Sequence, residues 1–251
     1  MTDFSRRGFE SVVQAIHAGG YRLIGFGELA AAQAADASLC LLRHDVDASM
    51  DFAVEMGKVE QRLGVRSTYF VMLRSPMYNL LGRHGLQALR TLQTLGHDIG
   101  LHFDAGASDW RDERIEDSLA FELGVLEHLL GRPVKAFSLH QPSEAVIRRR
   151  LELPGIINTY HPTHLEGFTY ISDSNRTWRD QNPWQLAASG ARRIHVLLHP
   201  IWWMCPFSDV YRCWDAAILQ NFEASQRQLL ATERAYGPAR SMSLHEDGKV
   251  S

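Results

Sequence analysis

The chain has 251 residues, 45% of them hydrophobic, a formal net charge of −3 and 12 histidines. That length supports one sizeable core rather than a set of small domains, and the near-neutral balance gives no basic surface for nucleic acid. No window approaches the roughly 20 apolar residues of a membrane span. The opening MTDFSRRGFESVV has no apolar stretch of the kind that leads an exported chain, so the expectation is a cytoplasmic protein acting on a substrate found inside the cell. Cys40, Cys205 and Cys213 are odd in number and form no CxxC pair, which gives neither a disulfide framework nor a zinc ribbon. The one basic cluster, Arg148-Arg149-Arg150, reads as a solvated helix face.

In chain order, a helix is expected from Ser5 to Ala18, stopped by Gly19-Gly20. The first strand is Leu39 to Val46. A helix follows from about Ala48 to Leu63, with apolar Phe52, Met56, Val59 and Leu63 at helical spacing. Next come a strand at Ser67 to Leu73, a helix at about Leu86 to Leu95 and a strand at Asp98 to Phe103. A long helix covers Glu113 to Leu130, before a strand at Val134 to Leu139 and a helix at about Glu144 to Leu151. The last strands are a weak one at Ile156 to Asn158, then Phe168 to Ser172 and Arg193 to Leu198. A helix from about Asp215 to Ala235 closes the fold. Seven strands alternating with helices predict a parallel α/β domain spanning the chain, nearer a barrel than an open sheet, with a disordered tail from about Arg240 to Ser251. No glycine-rich phosphate loop follows the first strand.

In such barrels the chemistry gathers at the C-terminal ends of the strands. Here those ends read Arg43-His44-Asp45-Val46-Asp47, His102-Phe103-Asp104, His140-Gln141-Pro142, Asp173-Ser174 and His199-Pro200. Five ends thus offer Asp or His to one rim. Asp45 and Asp47 share a face of an extended segment, and two such carboxylates repel unless a cation or a proton separates them. Asp47 also stands where it can cap the following helix. One carboxylate with two imidazoles, such as His102 and His140, makes an ordinary catalytic zinc set with a position left open.

At these residues the chain resembles the polysaccharide deacetylase superfamily (the NodB-homology group, carbohydrate esterase family four) in its Arg-His-Asp-Val-Asp variant. The resemblance runs from about Tyr21 to Trp203. It is carried by Leu42 to Asp47, Ser67-Thr68-Tyr69-Phe70, Gly96 to His102, Phe137 to Pro142, Tyr170 to Ser174 with Trp178, and Val196 to Pro200. It implies a distorted (β/α)7 barrel and metal-dependent hydrolysis of an N-acyl or ester group. By position Asp45 matches the catalytic base, Asp47 and His102 match metal ligands, His199 matches the general acid, and Asp173 matches the residue that orients it. His97 matches a residue that is usually structural.

Two departures stand out. The family's second metal histidine, four residues after the first, is Gly106 here, so the third ligand is expected from His140 or, second, Asp104. The arginine that braces the base is missing from Phe137 to Pro142, and Arg43 or Arg176 is expected to replace it. The implied cofactor is a divalent metal, zinc first. The expected substrate is a small molecule or glycan: an acylated amino sugar, a sugar conjugate or a small N-acyl metabolite. Trp178, Trp202 and Trp203 are candidates for an aromatic wall against a sugar ring, and Tyr211 to Trp214 with the last helix for an oligomer surface. The alternatives are a catalytically weakened relative that binds a glycan or metabolite, and an amidohydrolase for non-sugar amides.

Overall fold

The computed structural model describes residues 3–32, 37–106, 114–179 and 181–236. The start of the long helix expected at Glu113 and the tail from Arg240 lie outside them. Eight parallel strands form one sheet among the described residues: β1 (Arg22–Ile24), β2 (Leu39–Val46), β3 (Thr68–Val71), β4 (Asp98–Phe103), β5 (Ala136–Leu139), β6 (Ile157–Asn158), β7 (Thr169–Ser172) and β8 (Arg193–Leu198). Their order is β6-β5-β4-β3-β2-β8-β7, with β1 paired to the first half of β2. Around them lie α1 (Arg6–Ala18), α2 (Leu29–Ala32), α3 (Met50–Arg62), α4 (Arg83–Thr94), α5 (Ile115–Leu130), α6 (Glu144–Arg148), α7 (Pro183–Ala187), α8 (Pro200–Met204) and α9 (Val210–Thr232).

The sheet is an incomplete barrel. In a flat sheet β2 and β6, four strand spacings apart, would be separated by about 19 Å. Yet the Arg43 guanidinium on β2 donates to the Thr159 hydroxyl just past β6 at 2.9 Å, and its carbon lies 5.4 Å from the Tyr160 ring. The sheet must curl to bring them together, while β6 and β7 remain its two ends.

Alternation along β2 divides the molecule into layers. Cys40, Leu42 and Val46 point outward into the main core, against α3 and its neighbours. Leu39 and Leu41 point inward with Ile24, Phe26, Phe70 and Ala136, forming a second apolar plug in the barrel floor. Gly100 belongs to this plug, because a Cβ there would come within 2.5 Å of the Phe70 ring. Above the plug the inward column turns polar with Arg43 and Asp45, so the site stands on an apolar floor. No helix among the described residues is long and apolar enough to cross a membrane.

Several elements differ from the sequence expectation, among them the four-residue α2, which it does not contain. β1, absent from the seven-strand reading, makes the sheet eight-stranded; its three residues show no alternation long enough to recognise. α7 and α8 have five residues each, too short for helical periodicity. α9 begins at Val210 rather than Asp215, because Asp209 caps it by accepting the Arg212 N–H at 3.0 Å.

Candidate metal and acyl-transfer site

Asp47, His102 and His140 converge at the open end of the barrel from β2, β4 and β5. Asp47 Oδ1 lies 3.0 Å from His102 Nε2 and 3.3 Å from His140 Nδ1, and the two ring nitrogens are 3.2 Å apart. Three donors on one tetrahedral ion with bonds of ~2.1 Å would be about 3.4 Å apart, so the observed triangle is nearly that of a zinc site. Asp47 Oδ1 is buried and makes no hydrogen bond among the described residues, as expected of a metal-ligand atom. His102 Nδ1 faces the Ser138 hydroxyl at 2.6 Å. A ring that donates there presents a bare Nε2 to the site. The residues present therefore fit a divalent cation.

Asp47 does not cap α3, since Ser49 does so by accepting the Phe52 N–H at 3.3 Å. Its carboxylate is free for the trio. Burial pushes the Asp47 carboxyl up, but the neighbouring imidazoles of His102, His140 and His199 outweigh that and hold it well below the usual carboxylate range. Burial pushes His140 down, and Asp47 more than reverses this, raising it above an ordinary imidazole. Asp104, the alternative third ligand, stands outside the trio, with Oδ1 accepting the Gly106 N–H at 2.8 Å. Its side chain closes a local turn two residues on.

Asp45 sits beside the trio, with Oδ2 3.7 Å from His102 Nε2. Arg43 grips it from the same strand, Nε to Oδ1 at 2.8 Å and NH2 to Oδ2 at 2.6 Å. Burial would raise the Asp45 carboxyl, but the Arg43 guanidinium outweighs it and keeps it ionised. Arg176, the other candidate for this brace, is far from that role. It donates to the backbone oxygens of Phe207 and Phe4 and lies 3.0 Å from Cys213 Sγ. Asn175 and Arg176 both adopt left-handed backbone, with φ of 56° and 59°.

His199 Nε2 is 3.8 Å from Asp47 Oδ2. Its Nδ1 donates to Asp173 Oδ1 at 2.5 Å, and its backbone N–H lies 3.1 Å from both Asp173 oxygens. Trp203 Nε1 adds a third donor to Asp173 at 2.7 Å. This fixes the His199 ring with Nε2 turned to the metal trio. Burial draws the imidazole pKa down, but Asp173 more than compensates and raises it to about 9.

The predicted aromatic wall is only partly realised. Trp202 lines the cavity above Asp47 and His199, whereas Trp203 is fully buried behind Asp173. Trp178 packs against Phe4 and Trp203 on another cavity. Adjacent residues of a helix point about 100° apart, so Trp202 and Trp203 cannot face one ligand. Sequence reasoning missed Tyr160, Tyr170 and Trp214, which join Trp202 in the wall, and Ser138, which orients His102.

No protein-family model and no curated protein matches the chain. Among solved structures it is similar to a family 4 carbohydrate esterase from Bacillus anthracis, at 15% identity and a TM-score of 0.43 over 85% of this chain and 86% of that one. It is similar also to the chitin deacetylase of the fungal pathogen Colletotrichum lindemuthianum, at 15% identity and 0.44 over 73% and 82%. A CE4 family pseudoenzyme from Bacillus anthracis matches at 13% identity and 0.43, over 74% of this chain and 61% of the pseudoenzyme.

Proposed function

We propose that the chain is a metal-dependent hydrolase of the polysaccharide deacetylase type, removing an acyl group from the nitrogen of an amino sugar, a sugar conjugate or a small N-acyl metabolite. The observation that carries this reading is the Asp47–His102–His140 triangle, set between a carboxylate, Asp45, and an imidazole, His199. Zinc or a similar divalent ion, when bound, supplies Lewis-acid polarisation of an acyl carbonyl and eases deprotonation of water.

The chain's own groups supply the proton traffic. Asp45, held ionised by Arg43, accepts the proton of the attacking water. Each of its oxygens gives one lone pair to Arg43 and keeps another, so the ion pair orients the base without occupying it. His199, protonated at neutral pH, delivers the Nε2 proton to the departing nitrogen while Asp173 holds the ring by Nδ1. With an ionised carboxylate 3.7 Å and a protonated imidazole 3.8 Å from atoms of the trio, one group can take a proton as the tetrahedral intermediate forms and the other can give one as it collapses.

The test is elemental analysis of the purified protein with His102→Ala and His140→Ala, followed by assay of the metal-loaded protein on N-acetylated sugars and on non-sugar amides. About one divalent metal per chain, lost in both variants, together with amide hydrolysis supports the reading. Failure to take up any metal when supplied overturns it, and leaves the barrel as a binding module.

A further inference from the structure

Above Asp47 and His199 opens a cavity of about 820 Å³, a volume suited to a compact ligand of sugar-nucleotide size or smaller. Tyr160, Tyr170, Trp202 and Trp214 form its apolar walls. Trp202 and Trp214 meet edge to face at 5.9 Å, which stiffens that side. Away from the reaction centre, the one charged side chain among the described lining residues is Arg179.

Arg179 differs from the other arginines near the site. Arg43 is saturated by Asp45 and Thr159, and Arg176 by Phe4, Phe207 and Cys213. Arg179 is exposed and has no hydrogen bond or ion pair among the described residues. A cavity for a wholly neutral ligand is served by ring faces and neutral amides. A guanidinium at its wall is complementary to a carboxylate or phosphate, which it can grip through two parallel N–H groups.

We propose that the substrate carries an anionic group, a carboxylate or a phosphate, and that Arg179 binds it while the acyl group lies over Asp47 and His199. This rests on the hydrolase reading for where the acyl group sits. The charge pairing itself is a separate property. It makes Arg179 a specificity-determining residue that acts on binding and not on proton transfer. The aromatic wall would cover the uncharged body of the same molecule, between the two polar ends.

The experiment compares metal-loaded wild type, Arg179→Gln and Arg179→Lys on three probes. These are N-acetylglucosamine, its 6-phosphate, and N-acetylmuramic acid, which bears a carboxylate. Affinity is read from quenching of tryptophan fluorescence, and turnover from amine release. The expected result is that at least one anionic probe is preferred over the neutral one. The ratio of anionic to neutral affinity then falls about tenfold in Arg179→Gln and is partly kept in Arg179→Lys. Loss of preference for one anionic probe and not the other separates phosphate from carboxylate recognition. Equal affinity of wild type for neutral and anionic probes, an unchanged ratio in Arg179→Gln, or no binding of either anionic probe at millimolar concentration overturns the proposal. If the probes bind and the metal is present but no amine is released, the amino-sugar form of the hydrolase reading fails while the affinity ratio still decides the role of Arg179.

Discussion

Arg43 and Asp45 stand two positions apart on one strand and close a bidentate ion pair, with both side chains buried. Residues i and i+2 share a face of a strand, so the carboxylate and the guanidinium that grips it come from a single three-residue stretch of sequence. Asp45 is not one of the three converging ligands, so Asp45→Asn should keep the metal and lose turnover by about a hundredfold or more. Metal content and kcat measured on the same preparation check this, and wild-type turnover in Asp45→Asn would remove Asp45 from the mechanism. Arg43→Met should be the more damaging change for stability, at about 3–5 kcal/mol by chemical denaturation, because it leaves a buried carboxylate unpaired.

The His199–Asp173 pair makes stability depend on pH in a definite direction. The folded pKa of His199, about 9, lies above the ordinary value of ~6.5 for a free imidazole. Its contribution is therefore complete below about pH 6.5 and is lost as pH rises through 9. Metal-free wild type should lose thermal stability across that window, and Asp173→Asn should flatten the slope. Parallel melting curves for the two proteins from pH 6 to 10 would show that Asp173 does not set the state of His199. In turnover, the same substitution should move the alkaline limb of the rate profile to lower pH.

How far the sequence reveals this arrangement depends on range. β2, β4 and β8 have the same ends in sequence and structure, because each is rich in apolar residues and ends on one (Val46, Phe103, Leu198) that is followed at once by Asp47, Asp104 or His199. The rim aspartates and histidines stand at those ends and are readable for the same reason. Contacts that join distant segments leave no such trace. Ser138 is one small residue in an apolar strand, and nothing local marks its bond to His102, 36 positions away. Thr159 and Tyr160 reach Arg43 only because the sheet curls, a property of the whole barrel. The choice between Arg43 and Arg176 as the brace, and between His140 and Asp104 as the ligand, was open in the sequence for this reason.

Glu60 is a buried charge that helical periodicity in α3 did not mark. Its Oε1 lies 2.7 Å from His44 Nε2, and its Oε2 accepts from Ser67 Oγ at 2.7 Å and from Tyr69 OH at 2.6 Å. Burial pushes its carboxyl up, but His44 outweighs this and holds it below the usual range. The network pins α3 to the outer face of β2 and β3, one position behind Asp45. Removing its centre leaves several buried donors unpaired, so Glu60→Ala should cost about 3–5 kcal/mol. Asp47, His102 and His140 lie on the other face of the sheet, so on the proposed ligand set the folded fraction should keep wild-type metal content. Denaturation curves with elemental analysis test both halves. Loss of metal from a fully folded Glu60→Ala protein would mean that the two faces are coupled.

A second group of potential ligands, Glu152, His161 and His164, should stay empty. Glu152 Oε1 lies 3.0 Å from His161 Nε2 and 4.0 Å from His164 Nε2, which at first sight resembles the Asp47–His102–His140 group. The difference is in the far nitrogens. His164 Nδ1 accepts the backbone N–H of Asn158 at 2.9 Å, so the neutral ring carries its proton on Nε2, the atom that faces Glu152. A metal at that atom would need the proton on Nδ1, directly against the Asn158 N–H. His102 has the reverse arrangement, since its Nδ1 meets a hydroxyl that can accept and its Nε2 is bare. The group around Glu152 is therefore a clamp on the segment after β6, with imidazole N–H groups directed at a carboxylate. The expected stoichiometry is one metal per chain, unchanged in Glu152→Ala and abolished in His102→Ala. A second equivalent that disappears in Glu152→Ala would show that His164 can exchange its backbone bond for a metal, and that proton placement does not select between the two groups.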